Sequence, residues 1–474
     1  MKKHTSLLAI CFASFALFVI ALSSGAVASD AKGHKPAKPC SFSDARFDGT
    51  VDLHAVDEYQ DALAQLLKQE KFTDLDCIAD AARSGKTRFA GGSWKLHKFY
   101  VGLDTPRPGH PTQDDWKQHL KLVKRWVDDN PNSVTAPVVL ARSYVSYAWD
   151  ARGDGYADTV SDNGWKVFHE RMMKAESALK DSDFAGKCPE WFVAMMQVAQ
   201  GESWGLSRFK PLFEQAVAYQ PDYEYYYRVY AIMLSPKWFG AEGEAARFAE
   251  ETADRVGGEA GDLVYFEIAD EVVCPCDEPE FGHFSWPRLQ KGHAALENKY
   301  GTSLMEVNSF ALMAVKFTDW EVAEQAFKRI GDNWNEKTWS NEAWFKQNRD
   351  FALQMGPMQA ETRRNWKQAR ANMQTREGQV YRKELEQKLA AFEGPCLDQS
   401  KGDLSKMEMF VQVGANGAVA NAQTEKQPTP FVSCLMNNLY TSFSKKETPF
   451  PAPPNNPYWL VLEVDPATLS ASAK

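Results

Sequence analysis

A series of amphipathic segments in the middle of the chain constrains the fold most strongly. Apolar residues recur there at helical spacing, and pairs of predicted helices begin at residues 189, 222, 262 and 303, about 33 to 41 residues apart. The predicted pairs are 133–150 with 163–181, 189–200 with 206–219, 222–234 with 241–256, 262–273 with 285–299, and 303–317 with 319–331. One hairpin cannot bury its apolar face alone, whereas stacked hairpins bury it against their neighbours. The pattern predicts a mainly α-helical fold of tetratricopeptide-like stacked helical hairpins.

Residues 1–28 have the pattern of a secretory signal peptide. Lys2 and Lys3 precede an apolar run from Leu7 to Leu22, and Ala26-Val27-Ala28 forms a small-residue cleavage site. Because the run falls short of the roughly 20 residues of a spanning helix, an uncleaved membrane anchor is the less favoured interpretation. No later segment is apolar enough to span a bilayer. We therefore predict a periplasmic or secreted protein in which polar residues 29–55 are a flexible lead-in.

The charge of the chain limits its partners. Its net charge is −9, and removal of Lys2 and Lys3 with the signal lowers this to about −11. Nucleic acids require a basic surface, so we expect no nucleic acid partner and favour a protein or peptide of the cell envelope. Metalloprotease, P-loop and dinucleotide fingerprints are missing from the sequence, and no cofactor is predicted.

The helical repeats are predicted to occupy residues 56–357. Within them, the glycine-rich and aromatic stretch from Arg88 to Tyr100 predicts a long loop that packs on the helices through its rings. Gly356-Pro357 is expected to end a helix, because proline lacks a backbone donor, and 358–393 is predicted as a long linker helix. That helix is more basic than acidic. A solvated linker is the favoured interpretation, and a docking surface for an acidic partner or an anionic envelope polymer is the alternative.

A change of period indicates a small α+β (ββαβ) module at 394–468, followed by a tail at 469–474. Residues alternate in Met407 to Val413 and again from Val419, and Asn416-Gly417 between them predicts a hairpin with a type I′ turn. A short helix from Thr429 to Phe443 and a final strand from Tyr458 to Val464 complete the predicted module.

Seven cysteines remain after removal of the signal, and export favours their oxidation. We predict a disulfide between Cys396 and Cys434, expect a second between Cys40 and Cys77, and expect two of Cys188, Cys274 and Cys276 to pair, with Cys188 as the distant partner. The alternative is a zinc or copper site built from Cys274, Cys276, Asp277, Glu278, Glu280, His283 and His293. No standard ligand set is complete, so no metal is predicted.

Two groups of residues could support catalysis. Gly201-Glu-Ser203-Trp-Gly205 fits a nucleophile elbow, which requires a strand before the serine, but the preceding residues favour a helix. A second group could serve acid–base chemistry and consists of Asp150, Arg152, Asp154, Asp158 and His169. We interpret Ser203 as a turn residue and the second group as paired structural charges, and we predict no catalytic residue.

Aromatic residues near the hairpin ends are candidates for recognition, because aromatic anchors dominate binding surfaces. The candidate binding residues are Trp149, Arg152, Trp165, Trp191, Tyr223 and Trp238.

The chain resembles two families. The motifs Gly92-x-Trp94, Ala148-Trp149-x-x-Arg152-Gly153, Gly164-Trp165, Pro189-x-Trp191, Pro221-x-Tyr223, Pro236-x-Trp238-x-Gly240, Trp286-x-x-Leu289 and Asn308-x-Phe310-Ala311 lie within residues 88–334. They resemble an uncharacterised bacterial family of envelope-associated, tetratricopeptide-like domains. This resemblance implies no particular activity.

Residues 396–466 are similar to the C-terminal module of TonB-type energy transducers. The similarity rests on Phe410-Val411-x-Val413, Gly417-x-Val419, the Cys434 helix and the proline-rich step before the last strand. The sequence lacks the membrane anchor and the Pro/Lys-rich segment ahead of that module, so only a binding role is implied.

Together these features predict an exported helical-repeat scaffold or binding protein without catalytic activity, which engages protein or peptide partners in its groove. The alternative is an envelope hydrolase that uses Ser203 or the group of Asp150, Arg152, Asp154 and His169.

Overall fold

The chain is mainly helical, with a small three-stranded antiparallel sheet near its C-terminus, in a computed structural model. The structure describes residues 54–107, 109–153, 155, 157–180, 188–272, 281–400, 405–444 and 450–466, without the side chains of 390–392, 394, 399–400 and 442–444. The predicted signal peptide, most of the lead-in, Cys40, Asp154, Cys274, Cys276, Asp277, Glu278, Glu280 and the tail lie outside this range.

Four helices come before the helix pairs: α1 (Ala55–Lys68), α2 (Phe72–Gly85), α3 (Lys95–Leu103) and α4 (Gln113–Asp129). Thr112 caps α4 through a reciprocal pair of bonds with Asp115. The prediction of a continuous loop from Arg88 to Tyr100 is wrong in its second half, because α3 begins at Lys95. Leu96, Phe99, Tyr100 and Leu103 are buried at helical spacing, a period that the glycines before them obscured in the sequence.

The predicted helix pairs are present. They are α5 (Ala136–Arg152) with α6 (Asp162–Lys180), α7 (Pro189–Gly201) with α8 (Leu206–Tyr219), α9 (Tyr225–Met233) with α10 (Glu244–Val256), α11 (Gly258–Val272) with α12 (Trp286–Tyr300), and α13 (Leu304–Lys316) with α14 (Trp320–Ile330). The two helices of each pair contact each other, and each of the first three pairs also contacts the pair that follows it. The apolar faces of the first four pairs form a shared core that includes residues of α1 to α4 and of α13. The fifth pair buries most of its apolar face in a separate cluster with α15 and α16. These segments therefore bury their apolar sides against neighbours, as the hydrophobic period requires.

A helix boundary at Gly356-Pro357 is not observed. After a short helix, α15 (Glu336–Trp339), a single helix α16 (Glu342–Met373) runs through Pro357, and the break comes before α17 (Arg376–Glu393). A Cβ on Gly356 would lie 2.6 Å from the Cβ of Glu324 and 2.8 Å from the carbonyl oxygen of Trp320. The glycine therefore allows α16 to approach α14 closely, and it serves helix packing rather than helix termination.

The C-terminal sheet consists of β1 (Met407–Val413), β2 (Val419–Gln423) and β3 (Tyr458–Val464), in the order β2-β1-β3, with α18 (Pro430–Ser444) between β2 and β3 in the chain. Both faces of the sheet are covered. On one face Phe410, Trp459 and Val461 pack against Trp366 and Ala369 of α16. The other face packs against α17 and α18.

Residues 358–393 are therefore not a solvated linker, as the sequence suggested. Arg363 pairs with Asp319 and Glu321, each at 2.8 Å. Arg370 pairs with Glu408 at 3.0 Å. Several of the basic side chains thus form ion pairs within the chain, because α16 lies between acidic residues of α14 and of the sheet.

The turn between β1 and β2 also differs from the prediction. A type I′ turn needs positive φ at both central residues, but Gly417 has φ +77° and Asn416 is not among the described residues with positive φ. The Gly417 amide donates to the Gly414 carbonyl and the Gly414 amide donates to the Ala418 carbonyl, so three residues connect the strands. A separate register shift lies within the ladder, where Gln412 pairs with Asn421 and Val413 pairs with Val419. The loop is a type I turn followed by a glycine bulge at Gly417. This is the usual form of a three-residue hairpin loop, which is one residue longer than a type I′ loop.

Candidate functional site

Four of the six predicted binding residues lie together where α5, α6 and the loop after α9 meet. The guanidinium of Arg152 lies 5.4 Å from the ring centroids of Trp149 and of Trp165. The rings of Trp149 and Trp238 are 6.4 Å apart in an edge-on arrangement. All four side chains are half-buried, and the neighbouring Phe239 is 40 % exposed. We call Trp149, Arg152, Trp165 and Trp238 the aromatic cluster.

The other two predicted residues lie apart from this cluster. The indole of Trp191 donates to the carbonyl of Leu179 at 3.1 Å, which fixes it between neighbouring helices. Tyr223 is completely buried, and its hydroxyl donates to Glu190. Tyr223 is therefore a core residue and not a surface for a partner.

The residues considered for catalysis do not form a recognisable catalytic set in the described part of the chain. Ser203 lies in the turn between α7 and α8 and has φ +52°. The element that precedes it is the helix α7 and not a strand. His169 contacts Glu202 at 3.2 Å, while Asp150 lies 4.0 Å from Arg171. The strand–turn–helix geometry of a nucleophile elbow is thus replaced by a turn between paired helices.

The cysteines agree in part with the prediction. Cys396 and Cys434 form a disulfide, with Cα atoms 5.7 Å apart. Cys77 is also disulfide-bonded. Cys188 is a buried free thiol, so the expectation that it pairs with Cys274 or Cys276 is not met. It lies 3.3 Å from the hydroxyl of Tyr100 in the core.

His283 and His293, the described members of the metal alternative, have other contacts. His283 lies 3.0 Å from a carboxylate oxygen of Glu242, and His293 stacks on Phe310 with ring centroids 3.8 Å apart. No cluster of three or more metal-ligating side chains occurs among the described residues.

A buried network of charges links α3 to the first helices of successive pairs. Arg142 of α5 donates to Glu190 at 2.5 Å and to Asp104 at 2.9 Å. His97 lies 2.8 Å from the other oxygen of Glu190, which also accepts from Tyr223. Glu190 has no exposed surface and Arg142 is 3 % exposed. We call Asp104, Arg142, Glu190 and His97 the buried ion network.

The pKa values of this network follow from burial and pairing. Burial lowers the pKa of His97 to about 4 against the opposing charge of Glu190, so the ring is neutral near pH 7. Burial alone would raise the pKa of Glu190, but His97 and Arg142 outweigh it and hold the pKa below its usual value. Glu190 is therefore an ionised carboxylate whose oxygens are held by three neighbours.

The segment before α3 lies against the helical pairs. Arg88 donates to both oxygens of Glu224, at 3.1 and 3.0 Å, and to the backbone carbonyls of Gly92 and Asp222. Its guanidinium lies between the rings of Trp94 and Tyr300, with centroids at 4.2 and 4.7 Å. The indole of Trp94 donates to Glu224 at 2.6 Å. We call residues 86–94 the Arg88 loop.

The two glycines of this loop explain how it fits. Gly91 has φ +77°, and a Cβ there would lie 2.5 Å from the Cβ of Ser303 at the start of α13. A Cβ on Gly92 would meet Leu296 and Tyr300 at 3.0 Å. The Arg88 loop therefore contacts the junction of α12 and α13.

Next to the loop, several buried and partly buried charged residues lie close together. Arg228 lies 3.8 Å from Glu267 and 3.6 Å from Glu271. Burial, together with the neighbouring carboxylate of Asp270, raises the pKa of Glu306 to about 8. Burial also raises the pKa of Asp270. Perturbed pKa values of this kind mark both functional sites and structural ion networks.

The Arg88 loop, the end of α10 and the helices α11 and α12 enclose a pocket of about 790 Å³, which we call the Arg88 pocket. Its apolar wall includes Phe89, Val256, Ala260 and Val264. Val256 is 46 % exposed. Lys299 also lines the pocket; within the described residues it makes no ion pair, and its ammonium lies 5.1 Å from the ring centroid of Tyr300. The volume is within the roughly 300–1,000 Å³ of small-ligand sites.

Glu306→Gln should make stability less dependent on pH between about 4.5 and 8. The folded state keeps a proton on Glu306 that the unfolded chain releases near 4.5. The stability from this group is thus fully present below that pH and is lost as the pH rises toward 8. Glutamine keeps the shape without a charge, so the variant should gain about 1–3 kcal/mol over the original chain between pH 5 and pH 8. Urea unfolding at several pH values measures this, and a constant difference between the two proteins would contradict it.

Sequence reasoning missed the ion network and the role of Arg88. Arg88 and Glu224 are separated by 136 residues, and no sequence pattern around either residue identifies the other as its partner. The available signal was the short stretch Arg88-Phe-Ala-Gly-Gly-Ser-Trp94, where paired glycines indicate close backbone approach. Glu190, between Pro189 and Trp191, has no comparable pattern around it in the sequence that would indicate its burial.

Compared with known protein families, curated proteins and solved structures, the chain matches none. The resemblances to a tetratricopeptide-like family and to TonB-type modules therefore stay predictions. Within the described residues, no helix has both the length and the apolar character that crossing a bilayer would require.

Proposed function

We propose that the protein is an exported, tetratricopeptide-like binding protein that engages a peptide or protein segment of the cell envelope through the Arg88 pocket. The observation that carries this proposal is a pocket of about 790 Å³ with an exposed valine at the end of α10. A concave pocket with an apolar wall and a few charged groups is the usual form of a ligand site. The N-terminal signal pattern and the helical pairs support the same class of function.

The lining of the Arg88 pocket defines the kind of segment it would take. Val256, Ala260 and Val264 form an apolar wall for one aliphatic or aromatic side chain. Lys299 can pair with an acidic residue of the ligand, since no described carboxylate neutralises it. Arg88 is held by Glu224 and between two rings, so it stiffens the loop and is not free to pair. A segment with an apolar residue beside an acidic one fits best.

Two other surfaces could extend the contact. The aromatic cluster is half-buried and borders the exposed ring of Phe239. The C-terminal sheet, proposed here as a ββαβ module similar to that of TonB-type transducers, has β2 and β3 as its outer strands. An outer strand can accept an extended peptide by backbone pairing.

A substitution that fills the Arg88 pocket tests the proposal. Ala260 is exposed on α11 and lines the pocket, so phenylalanine can be placed there without replacing a core residue. Panning a random peptide library on the immobilised mature chain should enrich peptides with an apolar residue beside an acidic one. Ala260→Phe should weaken their binding at least tenfold, as measured by titration calorimetry, because the added ring occupies the apolar wall.

The matched control is Ala371→Phe, which adds the same ring at an exposed position of α16 outside this pocket. Its affinity should equal that of the original chain. Failure of the library to enrich any such peptide, or equal weakening in both variants, would count against the Arg88 pocket as the binding site.

A further inference from the structure

A second cavity lies between α16 and the C-terminal sheet and has an unusual lining. It measures about 560 Å³. Its floor is one cross-strand row of the sheet, in which Gln412 pairs with Asn421 on one side and with Trp459 on the other. The remaining polar lining comes from Glu361, Asn365 and Gln368 of α16 and from Asn455 and Asn456 before β3. We call this cavity the amide crevice.

The position of the floor follows from the pleat of the sheet. Phe410 and Gln412 lie on the same face of β1, because side chains alternate along a strand. Phe410 stacks on Trp366 of α16 with ring centroids 5.0 Å apart, which closes that end of the space. The side chain of Asn372 donates to the Trp459 carbonyl at 2.7 Å and fixes β3 against the same helix. The crevice therefore has walls of regular secondary structure on two sides.

Most of the carboxamides in the crevice make no hydrogen bond in the part of the chain that the structure describes. The side chains of Asn365, Gln368, Gln412, Asn455 and Asn456 make no hydrogen bond to another described residue. Each carboxamide offers two donors and one acceptor oxygen. Several such groups, supplied by two strands, a helix and a loop, converge on one space. That arrangement presents donors and acceptors together with little net charge.

We propose that the amide crevice binds a neutral saccharide. Hydroxyl groups both donate and accept, so adjacent sugar hydroxyls match the mixed character of carboxamides. Glu361, the carboxylate of the lining, can accept from two hydroxyls.

Other classes of ligand fit this lining less well. An anion would find no cation there, since Glu361 is the one charged residue of the lining. An apolar ligand would remove water from the amides without replacing their hydrogen bonds, which is unfavourable. A small cation would meet only one carboxylate, whereas hard cations take several oxygen ligands including charged ones. A polyhydroxylated, uncharged molecule can form hydrogen bonds with both the donors and the acceptors of this lining.

The saccharide site does not depend on the proposed peptide site. The amide crevice is formed by α16 and the sheet, while the Arg88 pocket is formed by the Arg88 loop with α10, α11 and α12. A variant in one site should leave the other unchanged, so failure of either proposal is distinguishable from failure of the other.

The experiment uses the full mature chain on an array of neutral oligomers of glucose, galactose and N-acetylglucosamine, with sulfated and carboxylated counterparts. Binding to a neutral oligomer is expected, and titration with that free oligomer gives its affinity. Asn365→Leu combined with Gln412→Met removes two carboxamides at nearly constant volume and should weaken binding at least tenfold. Asn365→Leu alone, at a half-buried helix position, gives a second test if the double variant does not fold.

Gln354→Leu is the control, because Gln354 is an exposed amide of the same helix outside the crevice. It should bind as the original chain does, and affinity should be insensitive to salt. The proposal is overturned if no neutral oligomer is retained, if the crevice variants bind as well as the control, or if only charged oligomers bind and salt releases them.

Discussion

Glu190→Ala is expected to destabilise the folded protein by about 3–5 kcal/mol, because it leaves a buried cation without its partner. Arg142 is 3 % exposed and would retain only Asp104. His97 and Tyr223 would lose the acceptor that both now contact. Denaturant unfolding of the mature chain, followed by circular dichroism, measures the loss.

Two further variants separate this effect from a general loss of negative charge. Glu214→Ala removes an exposed carboxylate that lies 3.9 Å from Lys210, and it should change stability by no more than about 0.5 kcal/mol. Adding Arg142→Met to Glu190→Ala should cost less than the two single changes summed, since the unpaired cation is removed as well. A cost below about 1 kcal/mol for Glu190→Ala would show that the network does not hold α3 against α5 and α7.

Loss of the disulfide between Cys396 and Cys434 should be the second large effect. The sequence separation is 38, and the chain-entropy relation gives about 4 kcal/mol for closing such a loop. We expect the cost of Cys396→Ala with Cys434→Ala to fall on the C-terminal part, whose core is small. Hydrogen exchange of the amides of β1 and β3 measures it as lost protection.

Cys188→Ala is the matched control for that experiment, because Cys188 is a free buried thiol just before α7, outside the C-terminal part. It should leave exchange in β1 and β3 unchanged. If the double alanine variant keeps the full protection of these strands, the disulfide contributes little and the sheet is stable through its packing against α16 to α18.

Periodicity predicted most of the secondary structure, since it reports directly which side of each segment is buried. The helix pairs from α5 to α14 and the three strands were found close to their predicted positions. The errors came at dipeptides that commonly mark a helix end or a tight turn but have a different role in this fold. Gly356-Pro357 resembled a helix end, but close packing against Glu324 and the Trp320 carbonyl requires the glycine there. Asn416-Gly417 resembled a two-residue turn, but three residues connect Gly414 to Ala418 in this loop.

The candidate sites were less predictable, because they depend on distant contacts. The tryptophans around Arg152 could be grouped, since they mark the ends of neighbouring predicted helices. Tyr223 could not be separated from them, because its burial depends on Glu190, 33 residues earlier. The Arg88 pocket forms only because the end of α10 lies beside the Arg88 loop, which comes far earlier in the chain. The amide crevice depends on a strand register that brings Gln412 between Asn421 and Trp459.

The measurement that tests the central proposal most directly is photo-cross-linking from the Arg88 pocket in the cells that produce the protein. A photoreactive phenylalanine analogue at position 260 is expected to form an adduct with a partner polypeptide. Mass spectrometry should map that adduct to a segment with an apolar residue beside an acidic one. The same analogue at position 371 should form no such adduct. Capture of no polypeptide at 260, or of the same polypeptides at both positions, would contradict a peptide-binding role for this pocket.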